Sequence, residues 1–173
     1  MRTERPVYVD LLPPCNSACP AGENIQGYLA EVQEGRHEQA WRILVADTPF
    51  AAIHGRVCYH PCETSCNRAS LDSAVSIHAV ERFLGDMALE QGWRFDRPAG
   101  HTGKRVLVIG AGPSGLSAAC HLGRLGHEVE IRDAGQEPGG LEPRRRSSST
   151  GARASRCRRT RRKRRMPSAR VCG

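Results

Sequence analysis

With 173 residues, among them 18 Gly, 11 Pro and 8 Cys, the chain has room for one ordinary domain or two small ones, and its cysteine share of about 5% lies below the roughly 8–10% of a disulfide scaffold. No apolar run approaches the roughly 20 residues of a membrane helix, and the start MRTERPVYVD lacks the apolar core of a secretory signal, so a cytoplasmic protein with reduced thiols and no membrane contact is expected. The net charge of +8 belongs to the C-terminal end: residues 1–140 hold 13 basic and 17 acidic side chains, and residues 141–173 hold 13 basic and 1 acidic.

Residues 1–100 hold all eight aromatic residues and five of the eight cysteines, and the apolar spacing predicts a mainly helical domain. A first cysteine pair, Cys15 and Cys19, stands at C-x3-C spacing in PPCNSACPAG. Ile25, Tyr28, Leu29 and Val32 then recur at i, i+3, i+4, i+7, which places one apolar stripe on a helix ended by Gly35. A second helix carries Ala40, Trp41, Leu44 and Val45 inward and stops near Asp47-Thr48-Pro49, because the residue before proline is pushed out of the helical region. The stretch GRVCYHPCETSCNR follows, with Cys58, Cys62 and Cys66 at two successive C-x3-C spacings, and reads as a loop. A third helix runs from Ser76, a candidate N-cap, to Gln91, with Ile77, Val80, Leu84 and Met87 or Ala88 on one face and Gly92 past its end.

Residues 104–141 read as strand, glycine turn, helix, strand. The apolar run Val106 to Ile109 leads directly into Gly110-x-Gly112-x-x-Gly115, a helix reaches to about Leu125, and Gly126-His127 turns into a strand from Val129 to Ile131 that ends on Asp133. This context matches a dinucleotide-binding βαβ unit. Gly110 allows the tight turn, Gly112 lets a diphosphate approach the backbone, Gly115 packs helix on strand, and Asp133 is placed to bind ribose hydroxyls. The helix N-terminus supplies partial positive charge to the diphosphate. Cys120, a lone small hydrophobe on that helix, is expected to be packed. From residue 142 onward there is no Leu, Ile, Phe, Tyr or Trp, so the Arg-rich stretch 142–173 is expected to be disordered. Cys157 and Cys172 lie there without ligand spacing, and no role is assigned to them.

If the helices fold back, five thiols converge. Four thiolates satisfy either a tetrahedral zinc or a cubane iron–sulfur cluster, each completed by one ligand from a remote segment. Three ligands close in sequence, with Cys-Pro nearby, favour the cluster, while zinc stays open. His60 lies inside the cysteine loop but is not needed as a ligand where four thiolates suffice.

The stretches PPCNSACPAGENIQGYL, GRVCYHPCETSCNR, SIHAVERFLGD and KRVLVIGAGPSGLSAACHLGRLGHEVEIRDAGQEPGG, in this order over roughly residues 11–141, resemble the small (β) subunit of NADPH-dependent glutamate synthase and its relatives, which include the N-terminal part of dihydropyrimidine dehydrogenase. The resemblance implies a helical domain with two [4Fe–4S] clusters, an FAD-binding fold and an inserted NADPH domain, with electrons passing from NADPH through FAD and clusters to a partner subunit or domain such as a glutamate synthase large subunit. By matching motif it implies that Cys19, Cys58, Cys62 and Cys66 ligate one [4Fe–4S] cluster, with Cys15 a possible ligand. It also implies that Gly110, Gly112, Pro113, Ser114, Gly115 and Asp133 contact FAD, and no catalytic residue is carried over.

The departures are specific. Two earlier cysteines of the family's first motif are replaced by Val7 and Asp10, which puts one cluster in doubt. Glu81 falls where relatives place a Gln or Glu ligand to that cluster, and without the other thiols it is expected to be a surface or capping charge. Asp133 is one methylene shorter than the Glu common in relatives. After Leu141 the chain runs into EPRRRSSSTGARASRCRRTRRKRR, and with 24 Arg against 2 Lys the expectation is a truncated or frameshifted family member that lacks the NADPH domain and binds FAD weakly or not at all. Two strands and one helix cannot cover both faces of a parallel sheet.

The fold expected is therefore an α-helical iron–sulfur domain (1–100), a truncated Rossmann-like α/β segment (104–141) and a basic tail (142–173). The expected function is that of an N-terminal fragment of an NAD(P)H-dependent FAD and iron–sulfur oxidoreductase. Two alternatives remain, a structural zinc domain for partner docking and a metal domain whose basic tail holds nucleic acid. The tail has no aromatic for base stacking, so a nucleic-acid partner is not expected.

Overall fold

The described elements fall into two compact units, Met1–Trp93 and Arg94–Gly173. The computed structural model describes residues 12–96, 98–135 and 138–139; the expectations on Val7, Asp10, Leu141 and the basic tail lie outside the described residues. In the first unit α1 is Pro14–Ala18, α2 Ile25–Gln33, α3 His37–Asp47, α4 Ala51–Val57, α5 Pro61–Thr64 and α6 Ile77–Gln91, with a 3-10 turn over Asn67–Ser70 between the last two.

The Asn24 side chain caps α2 by accepting the Gly27 N–H at 3.0 Å, satisfying one of the free donors of the first turn. Ile25, Tyr28, Ala40, Trp41, Leu44, Ile77, Leu84 and Ala88 form the core, where α2 packs on α3 and α6 packs on α3 and α4. Each fully buried Leu or Ile contributes about 1.5–3 kcal/mol over its exposed state.

The stretch between α3 and α6 is more ordered than the sequence suggests: α4, α5 and the 3-10 turn span 7, 4 and 4 residues, too short to display helical periodicity. Ser76 does occupy the N-cap of α6, but its side chain makes no capping bond. Glu63 does that work from α5, accepting the His78 N–H at 3.0 Å.

Helices α4 and α6 cross at backbone contact. A Cβ at Gly85 would lie 2.2 Å from the Ala52 nitrogen, and one at Gly55 would lie 2.4 Å from the Arg82 nitrogen. Only glycine fits either position. Beside the crossing, the Arg56 guanidinium donates two 2.8 Å bonds to the Asp86 carboxylate, an exposed pair that adds little stability but fixes orientation.

Glu81 is not a surface charge. It lies on the inner face of α6 with only 5% of its area exposed, because position 81 shares a helical stripe with Ile77, Leu84 and Ala88. The Tyr28 hydroxyl donates to its Oε1 at 3.3 Å, and Glu23, buried as well, accepts from the Thr48 hydroxyl through Oε1. Glu23 Oε2 is buried with no hydrogen-bond partner. Burial first, and the Glu23 charge second, push the Glu81 carboxyl up to about 8.

In the second unit β1 (Arg105–Ile109) and β2 (Glu128–Arg132) pair in parallel, from Arg105 opposite Glu128 to Ile109 opposite Arg132. Helix α7 (Pro113–Arg124) crosses between them in sequence and packs on both. Val106 and Val108 take the helix side, whereas Leu107 and Ile109 on the other face are 50% and 85% exposed. Cys120 is buried on α7 as expected, but it is disulfide-bonded and not a lone packed thiol. Among the described residues no helix is long and apolar enough to cross a membrane.

Replacing Gly85 by Ala should push α4 and α6 apart and cost about 1–3 kcal/mol, as overpacking does, read as a lower denaturant midpoint at unchanged slope. The buried carboxyl predicts a pH dependence in the metal-free protein. Because the folded chain holds the Glu81 proton up to about 8 while the unfolded chain releases it near about 4.3, stability is lost as pH rises through that window. Glu81→Gln should remove this loss, so its advantage over the wild type grows from pH 5 to pH 8 in thermal melts; a constant difference would contradict it.

Candidate functional site

The cysteines stand where helical backbone breaks. Cys19 and Cys58 follow the last turns of α1 and α4 with ψ of 119° and 141°, and Cys66 precedes the 3-10 turn with ψ of 121°. At such breaks backbone N–H groups come close to sulfur, although those of Gly22, Glu63 and Ala69 bond to the carbonyls of Cys19, His60 and Cys66. Cys58 Sγ accepts the His60 N–H at 3.3 Å; N–H groups of Glu23, Ala21 and Gly22 face Cys19, that of Glu63 faces Cys62, and those of Val75, Arg68 and Ala69 face Cys66. Cys15 differs, its thiol donating instead to Asn16 Oδ1 at 3.9 Å.

The packing of α1 on α5 brings the upstream pair to the cysteine loop. Cys62 is the buried member. Burial first, then the Glu81 charge, pushes its thiol up to about 12, and the Cys19 charge adds to this. The Cys19 thiol is raised mainly by burial, whereas the Cys66 thiol is lowered by the N–H groups around it, that of Val75 foremost.

This donor set suits a redox cluster better than zinc. Backbone N–H groups directed at sulfur are one of the means by which a protein sets the potential of an iron–sulfur centre. Zinc with bonds of about 2.3 Å to sulfur draws its thiolates to about 3.8 Å from one another, and among the described residues no three cysteine sulfurs lie within 4.8 Å of one another.

Sequence reasoning missed the buried polar group behind Cys62, formed by Glu23, Tyr28, Thr48 and Glu81. The signal was present for Glu81, whose spacing from Ile77 and Leu84 places it on the apolar face. It also missed Glu63 and His78, whose 2.6 Å contact joins α5 to the start of α6 and leaves no local trace.

In the second unit the glycine loop has the form its motif requires. Gly110 leaves β1 at φ +109°, in the region that favours glycine. A Cβ at Gly115 would lie 2.0 Å from the Gly110 carbonyl oxygen, whereas one at Gly112 would meet nothing within 4 Å, so Gly115 is forced by packing and Gly112 faces open space. Gly112 is the N-cap of α7, and the exposed Pro113 and Ser114 form its first turn.

Asp133 has a task beyond the ribose contact expected of it. Its carboxylate accepts the N–H groups of Ala111 and Gly135, each at 2.6 Å, which ties the end of β2 to the glycine loop. These bonds, Ala111's first, hold its acid below the usual carboxylate range. A carboxylate offers about four acceptor sites, so capacity for a ribose hydroxyl is left.

Comparison with known proteins agrees with both halves of this geometry. Residues 9–93 match the family described as dihydropyrimidine dehydrogenase domain II, 4Fe-4S cluster, and residues 108–161 match the NAD(P)-binding Rossmann-like domain. The chain is 37% identical over 150 residues to the NADP(+)-dependent formate dehydrogenase subunit beta of Moorella thermoacetica, a match spanning 74% of this chain and 21% of that protein. It is 40% identical over 126 residues to the glutamate synthase [NADPH] small chain of Bacillus subtilis, spanning 72% and 26%. The corresponding chain of Azospirillum brasilense is 40% identical over 134 residues, spanning 75% and 28%. The chain thus covers between a fifth and somewhat over a quarter of each of these relatives. Its first unit belongs to the dihydropyrimidine dehydrogenase domain II, 4Fe-4S cluster family, and it is joined here to a Rossmann-like NAD(P)-binding segment.

Proposed function

We propose that this chain is the electron-transfer portion of an NAD(P)H-dependent flavin and iron–sulfur oxidoreductase, with Cys19, Cys58, Cys62 and Cys66 holding a [4Fe–4S] cluster. The observation that carries the reading is that α1 packs on α5 and so brings Cys19 to the loop of Cys58, Cys62 and Cys66, with Cys58 Sγ accepting the His60 N–H while Cys15 is turned to Asn16. When bound, such a cluster supplies one-electron transfer; the protein's part is to set its potential and burial. The free thiols of Cys15, Cys19, Cys58, Cys62 and Cys66 suit a cytoplasmic location.

A second reading concerns the fourth ligand. The buried Glu81 carboxylate stands close enough to Cys62 to raise its thiol, so an oxygen donor from α6 is available where Cys66 would otherwise serve. The resemblance to glutamate synthase small subunits places a Gln or Glu ligand at this position too, but on the cluster whose two earlier cysteines are Val7 and Asp10 here.

The glycine loop serves a nucleotide cofactor, which the resemblance gives as FAD. Gly110, Gly112, Pro113, Ser114 and Gly115 cradle the diphosphate and Asp133 meets the ribose. With Leu107 and Ile109 bare on one sheet face, this segment alone binds flavin weakly. The electron acceptor is a partner subunit or domain, of which a glutamate synthase large subunit is the example that the resemblance offers.

Anaerobic purification followed by metal, sulfide and flavin analysis tests this. About four iron and four sulfide per chain, with visible absorption and substoichiometric flavin, are expected; a colourless chain with one zinc would overturn the electron-transfer reading. Cys66→Ala and Glu81→Ala separate the two ligand sets, since the variant that loses iron names the fourth ligand.

A further inference from the structure

We propose that His60, Glu63 and His78 form a site for one divalent transition-metal ion, with zinc the best match, distinct from the cysteine centre. One ligand atom from each of the three lies within 4.8 Å of the other two, and all three side chains are partly buried. Two segments remote in sequence contribute, the start of α5 and the start of α6.

The case rests on what faces what. His60 Nδ1 lies 2.8 Å from the Cys58 carbonyl oxygen. That oxygen can only accept, so Nδ1 is its donor, and in the neutral ring Nε2 carries the lone pair. The free nitrogen faces Glu63 Oε2 at 3.8 Å, too far for a hydrogen bond. Two lone-pair donors thus oppose each other across a gap that calls for a cation. With zinc–ligand bonds of about 2.0–2.1 Å, a tetrahedral ion holds two such donors about 3.4 Å apart, a few tenths of an ångström from what is present.

The other half of the carboxylate accepts a hydrogen bond from the second imidazole, His78 Nδ1–H donating to Glu63 Oε1 at 2.6 Å, which leaves that ring's Nε2 as its lone-pair nitrogen. The two rings stack 4.3 Å apart at 16°, so each turns a nitrogen-bearing edge to the same carboxylate. A backbone carbonyl that fixes the tautomer of a histidine is the usual outer support of a metal-bound imidazole. His60 is also, among the described residues, the one non-glycine residue in the left-handed region, at φ 41°, and such backbone strain is retained where the surroundings hold it. Capping of α6 accounts for Glu63 Oε1, which accepts the His78 N–H; Oε2 is left to face the His60 ring. Two imidazoles and a carboxylate leave one position of a tetrahedral ion for water.

The test uses the anaerobically purified chain with its own metal content determined first, so it does not depend on the cysteine assignment. Zinc chloride is added, excess is removed by gel filtration, and zinc and iron are counted with zinc-edge X-ray absorption on the same sample. The expected result is one added zinc per chain, surrounded by nitrogen and oxygen at about 2.0–2.1 Å, with iron unchanged. His60→Asn, chosen because Asn tolerates the left-handed backbone, and His78→Ala should each weaken zinc binding at least tenfold. Glu63→Gln, which keeps an acceptor for the helix cap, should do so without loss of fold by circular dichroism. Sulfur at about 2.3 Å around the added zinc, iron lost in exchange for it, no uptake, or wild-type affinity in folded variants would each overturn the proposal.

Discussion

The approach of α4 to α6 sets the geometry of the cysteine end. Two glycines, Gly55 and Gly85, let the backbones meet where any side chain would hold them apart. Helix α4 ends at Cys58, and α6 carries His78 and Glu81, so the separation of these helices is also the separation of the cysteine loop from its two acidic and imidazole neighbours. Packing density leaves no slack for this to vary. The short helices α4 and α5 could not hold a position on their own, since isolated helices of that length are unstable in water. Their placement is borrowed, that of α4 from the 15-residue α6 and that of α5 from α1 and the Glu63 bond to the start of α6.

A purely apolar core would be more stable than the one present. Glu23 and Glu81 are both buried, with Tyr28 and Thr48 as their only evident donors and one oxygen of Glu23 left without a partner. Buried carboxylates without full pairing cost free energy. In the metal-free chain a proton relieves part of that cost, which is why the Glu81 carboxyl is held so high. A cation nearby would relieve it differently, by making the charged form the favourable one. Were a metal to bind the Glu81 carboxylate directly, proton and metal would compete for the same oxygen atoms.

How much of this could be read in the sequence depends on the range of the interaction that fixes each element. Helices α2, α3 and α6 show in their apolar spacing because one face of each is buried over at least two turns. The βαβ unit shows because three glycines and an acid meet local demands, a turn, an open approach and a close packing contact. Elements fixed by tertiary contact did not show. Ser76 has the right chemistry for a cap, yet the bond is made by Glu63 from 13 residues upstream. Glu81 was weighed as a charge in a family register rather than as a position on a helix face, where its neighbours Ile77 and Leu84 would have placed it inside. Asp133 was assigned to a ligand, and its bond to the Ala111 N–H shows that it also holds the loop that the ligand would meet.

The cysteine loop itself illustrates how one short stretch can serve two chemistries. In GRVCYHPCETSCNR soft and harder donors are interleaved: Cys58, His60, Cys62, Glu63 and Cys66. A fully extended strand would throw adjacent side chains to opposite faces, and an uninterrupted helix would place Cys58, Cys62 and Cys66 on one stripe with little room between them. The chain does neither. It leaves α4 in extended form at Cys58, takes a left-handed step at His60 and makes a single helical turn from Pro61. Within that turn the step of about 100° per residue separates Cys62, directed into the core toward Glu81, from Glu63, directed to the N-terminus of α6. The left-handed step does the corresponding work on the other side, lending the His60 N–H to Cys58 while swinging the ring to His78. Thiolates and nitrogen–oxygen donors are thus sorted onto two sides of the same turn. Each set meets a different part of α6, which is why a single helix crossing can govern both.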